Sequence, residues 1–299
     1  MHHSRSILTG IVFAIFASAC FATLDTTVQY LSAFVPILMA LWFRYTFQTV
    51  VAAAVLLPLH GTSVLRTAHP KFHLVRGLLL LTSTALAFSS LKVMHVSEFT
   101  AIIMITPLAI TLMASLVLKE HVSLKRWLLV LGGFIGAMVI IRPGRSSFDP
   151  VLLLPLSIVV CNAAFQLLTS KMAQTENPMT IQLYTGLVGM VVASCILPFV
   201  WVSLPSWHLW LLLLLMGVAS SGGHFLLILA YKKTSAATLT PYLYAQIVFA
   251  IVGGWIIFRY VPDGWSMLGI SLIALCGVLG AWLTVREVRG LSADMLAST

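Results

Sequence analysis

Apolar residues along this chain gather into ten long runs, at roughly 6–31, 34–59, 73–92, 97–118, 124–142, 149–172, 178–203, 207–232, 235–258 and 264–287. Each is close to the about 20 residues that an α-helix needs to cross about 30 Å of hydrocarbon. Inside lipid a backbone must pair with itself, so runs of this length predict helices rather than open strands. Turn formers punctuate the connections: Pro58 and Gly61, Pro143 and Gly144, Asn177 and Pro178, Pro205, and Pro262 with Gly264. The expected fold is an all-α integral membrane protein of ten transmembrane helices, with residues 290–299 as a frayed tail. Residues 7–24 read as part of the first span rather than as a cleavable signal, because the run continues to Leu31 and similar runs follow it.

Sliding the chain against itself by about 140 residues superimposes the hydropathy of the two halves. Leu118-Lys119-Glu120-His121-Val122 then falls on Phe258-Arg259-Tyr260-Val261-Pro262, and Thr82-Ser83-Thr84-Ala85 falls beside Gly222-Gly223-His224-Phe225. Two five-span repeats follow, 6–142 and 149–287. Five is odd, so the second copy enters the bilayer upside down. Inverted repeats of this kind build carriers that open alternately to each side.

Composition agrees with a lipid-facing surface: 60% hydrophobic residues, 8% charged, and a mean hydropathy of +1.04. The net charge of +9 is a topology signal rather than a nucleic-acid footprint, because the charges sit in the connections. With the N-terminus inside, the inner side holds Arg5, Arg66, Lys71, Arg76, Lys119, Lys125, Arg126, Lys171, Lys232, Lys233, Arg286 and Arg289. The outer side holds Lys92, Arg142, Arg145 and Arg259. That bias predicts both termini in the cytoplasm. Cys20, Cys161, Cys195 and Cys276 each stand alone in an apolar run and read as packing residues. His69 and His73 lack an acidic partner in their loop, so no metal is expected. With no phosphate-binding loop in the chain, neither a cofactor nor direct ATP drive is expected.

Polar residues within the spans are the sharpest functional clue, since each is costly in lipid. Arg44 and Asp25 lie at similar depth, which suggests an intramembrane Asp25–Arg44 pair. The alternative has Arg44 tethering its helix or reaching to the interface. Helical spacing places Ser18, Asp25 and Gln29 on one face, and does the same for Asn162, Gln166 and Thr169, for Thr238, Tyr242 and Gln246, and for Ser220 and His224. From these, Asp25, Gln29, Ser83, Asn162, Gln166, His224, Tyr242 and Gln246 are candidate cavity residues. His224 suits a substrate hydrogen bond, a proton-sensitive switch or a plain interhelical bond. The Ser220–His224 spacing lacks an oxyanion-forming loop, and no enzyme is expected. Glu98 at the edge of the fourth span is a further proton-site candidate, with solvation by water as the default. Pro107 and Pro241 interrupt corresponding spans, and Gly222-Gly223 permits bending or close approach, so these four are candidate helix-break and gating positions.

Three phrases carry a family resemblance: Ala40-Leu41-Trp42-Phe43-Arg44, Thr106-Pro107 followed by Leu118-Lys119-Glu120-His121-Val122-Ser123, and Gly132-Gly133-Phe134-Ile135-Gly136. Together with the ten-span pattern they resemble the drug/metabolite transporter superfamily, EamA-type ten-span carriers, over roughly 7–287. Tyr260 stands where the second repeat's glutamate would fall, and Pro241 is displaced from the Pro107 position. The resemblance implies a basket whose first, third, fourth, sixth, eighth and ninth spans line a central cavity. It also implies alternating-access transport of small neutral or zwitterionic metabolites. Export of amino acids, as in bacterial aromatic amino-acid exporters, is the first expectation. Uptake of riboflavin, S-adenosylmethionine or a related planar metabolite is the second, and a non-transporting scaffold the third. The expected partners are a small-molecule substrate and the bilayer, with no nucleic acid, and both a monomer and a homodimer fit the sequence.

Overall fold

The computed structural model describes residues 2–61, 65–67, 69–94, 96–117, 119, 122–141, 153–259 and 263–297. Apart from short 3-10 turns, these form α1 (His2–Leu31), α2 (Ile37–His60), α3 (Pro70–Val93), α4 (Val96–Ile103), α5 (Thr106–Val117), α6 (Leu124–Ile141), α7 (Leu153–Met172), α8 (Pro178–Ile196), α9 (Trp207–Lys233), α10 (Ala236–Leu243), α11 (Ala245–Phe258) and α12 (Gly264–Ala297). Among the described residues, seven stretches, each one helix or two in succession, are long and apolar enough to cross a membrane. In the fourth expected span α4 and α5 run end to end, α6 fills the fifth, and α12 fills the tenth. Large apolar side chains crowd the outward faces, with Leu116, Val160 and Val278 each more than 60% exposed. Such a surface suits hydrocarbon, not water.

Two of the spans are broken, and the breaks correspond. Met104 and Ile105 form a turn between α4 and α5, and Tyr244 forms one between α10 and α11, roughly 140 residues on. Pro107 has no N–H, and its ring collides with a helical carbonyl four residues back, so the helix restarts just before it. In the second half the proline precedes the break. Tyr244 is pinned by its hydroxyl, which donates to the Val130 carbonyl at 2.9 Å. The two spans also end alike: Lys119 (φ 53°) and Arg259 (φ 56°), superimposed by the same slide, both take the left-handed backbone that closes a helix. Glu120, His121, Tyr260 and Pro262 lie outside the described residues, as does the side chain of Glu98.

Counterpart helices run antiparallel. Along α2 and α8, Trp42 Nε1 donates to Ser194 Oγ at 2.8 Å, whereas Gln48 Nε2 donates to the Gln182 carbonyl at 2.9 Å. Along α6 and α12, Gly132 abuts Cys276 and Gly136 abuts Gly269 and Ile273. A parallel duplication would lay these counterparts side by side in the same direction, so the halves are inverted. Packing follows the same exchange: α1 lies on α9 as α3 lies on α7, and α2 on α9 as α3 on α8.

One contact shows the exchange atom by atom. A Cβ on Gly77 of α3 would stand 2.6 Å from Val188 of α8, and a Cβ on Gly217 of α9 would stand 2.7 Å from Phe47 of α2. Gly77 and Gly217 are counterparts 140 residues apart, and Phe47 and Val188, 141 residues apart, come within one position of the same match. Gly77→Val and Gly217→Val should therefore cost similar stability, about 1–3 kcal/mol each from overpacking. Thermal unfolding of detergent-purified variants followed by size exclusion reads this directly. Wild-type midpoints for either variant would mean the helices do not meet there.

One end of the bundle collects cationic and polar groups. Ser6 Oγ donates to the Lys233 carbonyl at 3.4 Å, Thr67 Oγ1 donates to Glu176 Oε1 at 2.7 Å, and Lys171, Lys232 and Lys233 line one surface pocket. The sequence places Arg76 among these end charges, but the structure does not. Arg76 lies within α3, 1% exposed, because α3 begins three residues before the apolar run does.

Candidate functional site

Where the two broken spans face each other the bundle encloses a cavity. Its walls come from α1, α3, α4, α5, α7, α9, α10 and α11, which are the first, third, fourth, sixth, eighth and ninth expected spans, and Arg44 of α2 reaches in between them. Both breaks open onto it, through Met104, Thr106 and Pro107 on one side and Leu243 and Gln246 on the other. Half-helix ends freed at mid-membrane depth commonly mark binding sites in inverted-repeat carriers.

Arg44 is 2% exposed. Its Nε donates to Ser220 and its Nη1 to Thr84, and Nη2 donates to His224 Nε2 at 2.8 Å. A guanidinium only donates, so His224 Nε2 must accept and Nδ1 must carry the ring proton. That Nδ1 is buried with no partner, and the ring is held between Phe21 (centroids 4.9 Å) and Phe165 (5.6 Å). Ser220 and His224 are both occupied by Arg44, which removes them from any nucleophile–base arrangement.

The expected direct Asp25–Arg44 pair does not form. Asp25 Oδ2 instead accepts from Gln246 Nε2 at 3.0 Å, so α1 is joined to α11 while Arg44 joins α2 to α3 and α9. Depth placed the two residues at one level, but helix rotation turns Arg44 toward three nearer hydroxyl and imidazole groups. Both charges still line the same cavity.

The amide residues divide. Asn162 and Gln166 line the cavity, and Gln166 is spent within the wall: Nε2 donates to Asn162 Oδ1 at 3.1 Å and Oε1 accepts from Tyr231 Oη at 2.7 Å. Ser83 and Thr106 line it with hydroxyls that are buried and have no partner. Gln29 lies one turn beyond the cavity, where its Oε1 accepts from the Val96 N–H at 3.4 Å and caps the start of α4. Tyr242 packs in an apolar cluster with Leu239 and Tyr231 instead of lining the cavity. The break at Tyr244 separates Tyr242 from Gln246, so their helical spacing does not place them on one face.

Pro107 lies at the cavity wall and Pro241 against Gly280 of α12. Gly222 and Gly223 are not a break, since α9 runs through them without interruption. A Cβ on Gly223 would stand 2.8 Å from Phe21, so that glycine admits the first helix.

Sequence reasoning missed the aromatic walls, Phe21, Phe88, Phe99 and Phe165, which look like ordinary span residues until the fold turns them inward. It also missed Arg76. The Arg76 Nε donates to Thr169 Oγ1 at 2.8 Å, Nη1 donates to Thr185, and the guanidinium lies 4.5 Å from the Phe165 ring centroid. Thr169 and Thr185 are visible as hydroxyls within their apolar runs, but their register against Arg76 across helices is not.

Comparison with known proteins places this architecture. A riboflavin transporter of Vibrio cholerae is 29% identical over 96% of this chain and 97% of its own. An S-adenosylmethionine uptake transporter of Rickettsia felis is 26% identical over 90% and 91%. A pseudopaline exporter of Pseudomonas aeruginosa is 26% identical over 89% and 94%. One crystal structure superimposes with a TM-score of 0.75 at 20% identity, covering 95% of this chain and 99% of that one, which bears on the fold. The profile of the EamA-like transporter family matches twice, over residues 8–142 and 150–285. With a multi-pass helical body and a family match across nearly its whole length, the chain belongs to the EamA-like transporter family.

Proposed function

We propose that this protein carries a small metabolite with a planar ring and a polar edge through the central cavity by alternating access. In this reading it spans a bacterial inner membrane ten times with both termini cytoplasmic, its repeats being 6–142 and 149–287. The antiparallel counterparts and the cationic end of the bundle support that topology. The observation that carries the cargo reading is the wall chemistry. Four phenylalanines line a cavity together with Ser83, Thr106 and His224, and Ser83 Oγ, Thr106 Oγ1 and His224 Nδ1 are buried with no protein partner. An unpaired buried polar group costs about 1–3 kcal/mol, which a bound hydrogen-bonding edge recovers. Rings among phenylalanines gain dispersion and stacking without fixing one identity. Riboflavin and S-adenosylmethionine, carried by two of the relatives, both have this shape.

Reconstitution into proteoliposomes tests the reading. Labelled riboflavin, S-adenosylmethionine and aromatic amino acids are offered in turn, and saturable flux of at least one ring-bearing compound is expected. Absence of flux for every compound in a folded preparation would sink it. Amino-acid export is the second reading, favoured by the opposite charges of Asp25 and Arg44 at one cavity.

A further inference from the structure

α7 and α9 end side by side, and the seam between their last turns holds more positive charge than those helices can use. Lys171 lies in the last turn of α7, and Lys232 and Lys233 in the last turn of α9. All three line one pocket, together with Ser170, Gln174 and Ser235, the residue that caps α10. Gln174 Nε2 donates to the Tyr231 carbonyl at 2.6 Å and fixes the seam. Cations suit helix C-termini, where the dipole leaves about half a negative charge. Two such ends call for about one positive charge between them. Three lysines exceed that, and α10 adds the positive end of its own dipole. Carboxylates do not absorb the excess. No acidic group is paired with any of the three lysines among the described residues, and Glu176, the nearest in sequence to Lys171, accepts from Thr67 Oγ1 at 2.7 Å. Lys171 Nζ lies instead 5.7 Å from the Phe72 ring centroid.

We propose that this pocket binds the phosphate of an anionic membrane lipid, held between Lys171 on one helix and Lys232 and Lys233 on the other. Depth selects a lipid over a dissolved anion. The pocket lies where two apolar spans, Leu153–Met172 and Trp207–Lys233, give out, and that is the level at which a bilayer presents its phosphates. Basic pockets between spanning helices recognise phospholipid headgroups in this way. Lysine suits the task, because its stem lies along apolar surface while the ammonium reaches the headgroup. Ser170, 5% exposed, adds a hydroxyl to the wall that can donate to a phosphate oxygen. The pocket shares no residue with the central cavity, so the site stands whatever the cavity carries. A phosphate gripped from both sides ties α7 to α9 and to the start of α10, the half-helix that contains Pro241. The lipid then braces the end of the bundle at which those helices would have to part.

Native mass spectrometry of the delipidated full-length protein tests this, with phosphatidylglycerol and phosphatidylcholine of the same acyl chains as probes. The first phosphatidylglycerol should bind about tenfold or more tighter than the first phosphatidylcholine. Replacing Lys171, Lys232 and Lys233 together by glutamine should abolish that preference and leave phosphatidylcholine binding unchanged, which also shows that the variant is folded. A control that replaces Arg66, Lys71 and Lys125 by glutamine removes three charges expected at the same end but outside the pocket, and it should keep the preference. Unfolding midpoints in nanodiscs separate the two sources of phosphate. Phosphatidylglycerol mixed into phosphatidylcholine should raise the wild-type midpoint and not that of the pocket variant. Inorganic phosphate over pure phosphatidylcholine should leave the wild-type midpoint where it was. A rise with inorganic phosphate equal to that with phosphatidylglycerol would assign the pocket to a soluble anion and overturn the lipid. Equal loss of preference in the pocket variant and the control would mean diffuse attraction to the whole surface, and a preference that survives the pocket substitutions would place the lipid elsewhere. Either result overturns the site, and neither touches the cavity reading.

Discussion

Arg44→Ala should reduce transport about 30-fold or more, in keeping with the 2–5 kcal/mol lost when one member of a buried charged hydrogen-bond set is removed. Stability should change far less. Truncation orphans the His224 Nε2 acceptor and the Ser220 hydroxyl and leaves a void, effects of about 1–3 kcal/mol per buried group. It also removes a charge whose placement in mid-membrane costs about 2.5–3.5 kcal/mol on insertion scales. These oppose each other, so a net destabilisation of about 1–3 kcal/mol is expected. Thr84 is the least affected partner, because its hydroxyl also donates to the Leu80 carbonyl at 2.7 Å and faces Tyr45 Oη at 3.1 Å. Arg44→Gln separates the two roles. It keeps an amide to bond Ser220 or His224 and removes the charge, so it should regain stability without regaining transport. Proteoliposome flux and thermal unfolding measured on the same preparations decide this. Wild-type flux in Arg44→Gln would show that the charge is not used on cargo.

The opposite balance is expected at Arg76. Its side chain does not line the cavity, yet it ties α3 to α7 and α8 through Thr169, Thr185 and the Ile181 carbonyl (3.4 Å), with its flat face on Phe165. Arg76→Ala removes those bonds and the stacked surface, and a loss of about 2–4 kcal/mol follows from the bonds and the void together. Low yield and a depressed unfolding midpoint are the readouts. Thr169→Val and Thr185→Val should each cost about 1 kcal/mol, because each removes one partner and keeps the volume. An Arg76→Ala protein as stable as wild type would mean that the residue behaves as an end charge after all.

The contrast between these two arginines marks how far the sequence could be read. Arg44 stands about ten residues into its run, and hydropathy alone shows that it is inside the membrane. Arg76 stands near the start of a run, where charge counting takes it for an end residue, and only the packing of α3 against α7 and α8 shows it to be a core one. Antiparallel, inverted halves were legible because apolar length, an odd span count and a repeated pattern are local or nearly local signals. Proline marks the neighbourhood of each helix break, whereas Gly222 and Gly223 stayed open between bending and close approach: missing side chains serve both alike, and only the neighbouring Phe21 decides for Gly223. Side-chain pairing was the least legible. Asp25 and Arg44 share a depth, but which neighbour each finds depends on helix rotation. Gln29 and Tyr242 share a nominal face with cavity residues, yet one lies past its edge and the other lies across a break. Periodicity holds only as far as the helix that generates it.

Pro107 and Pro241 fall on opposite sides of their respective breaks, and in an inverted molecule this has an unexpected result: both lie in the same half of the membrane. α5 and α10 pack together there, joined by Thr111 Oγ1 and Thr240 Oγ1 at 3.1 Å. Their partners α4 and α11 contain no proline. The symmetry that equates the two halves is therefore broken in covalent structure: both prolines fall on one side, where Pro107 opens α5 and Pro241 withholds an N–H from the interior of α10. Under the alternating-access reading proposed above, the half where α5 and α10 meet is expected to yield first, so that release through that end outpaces release through the other.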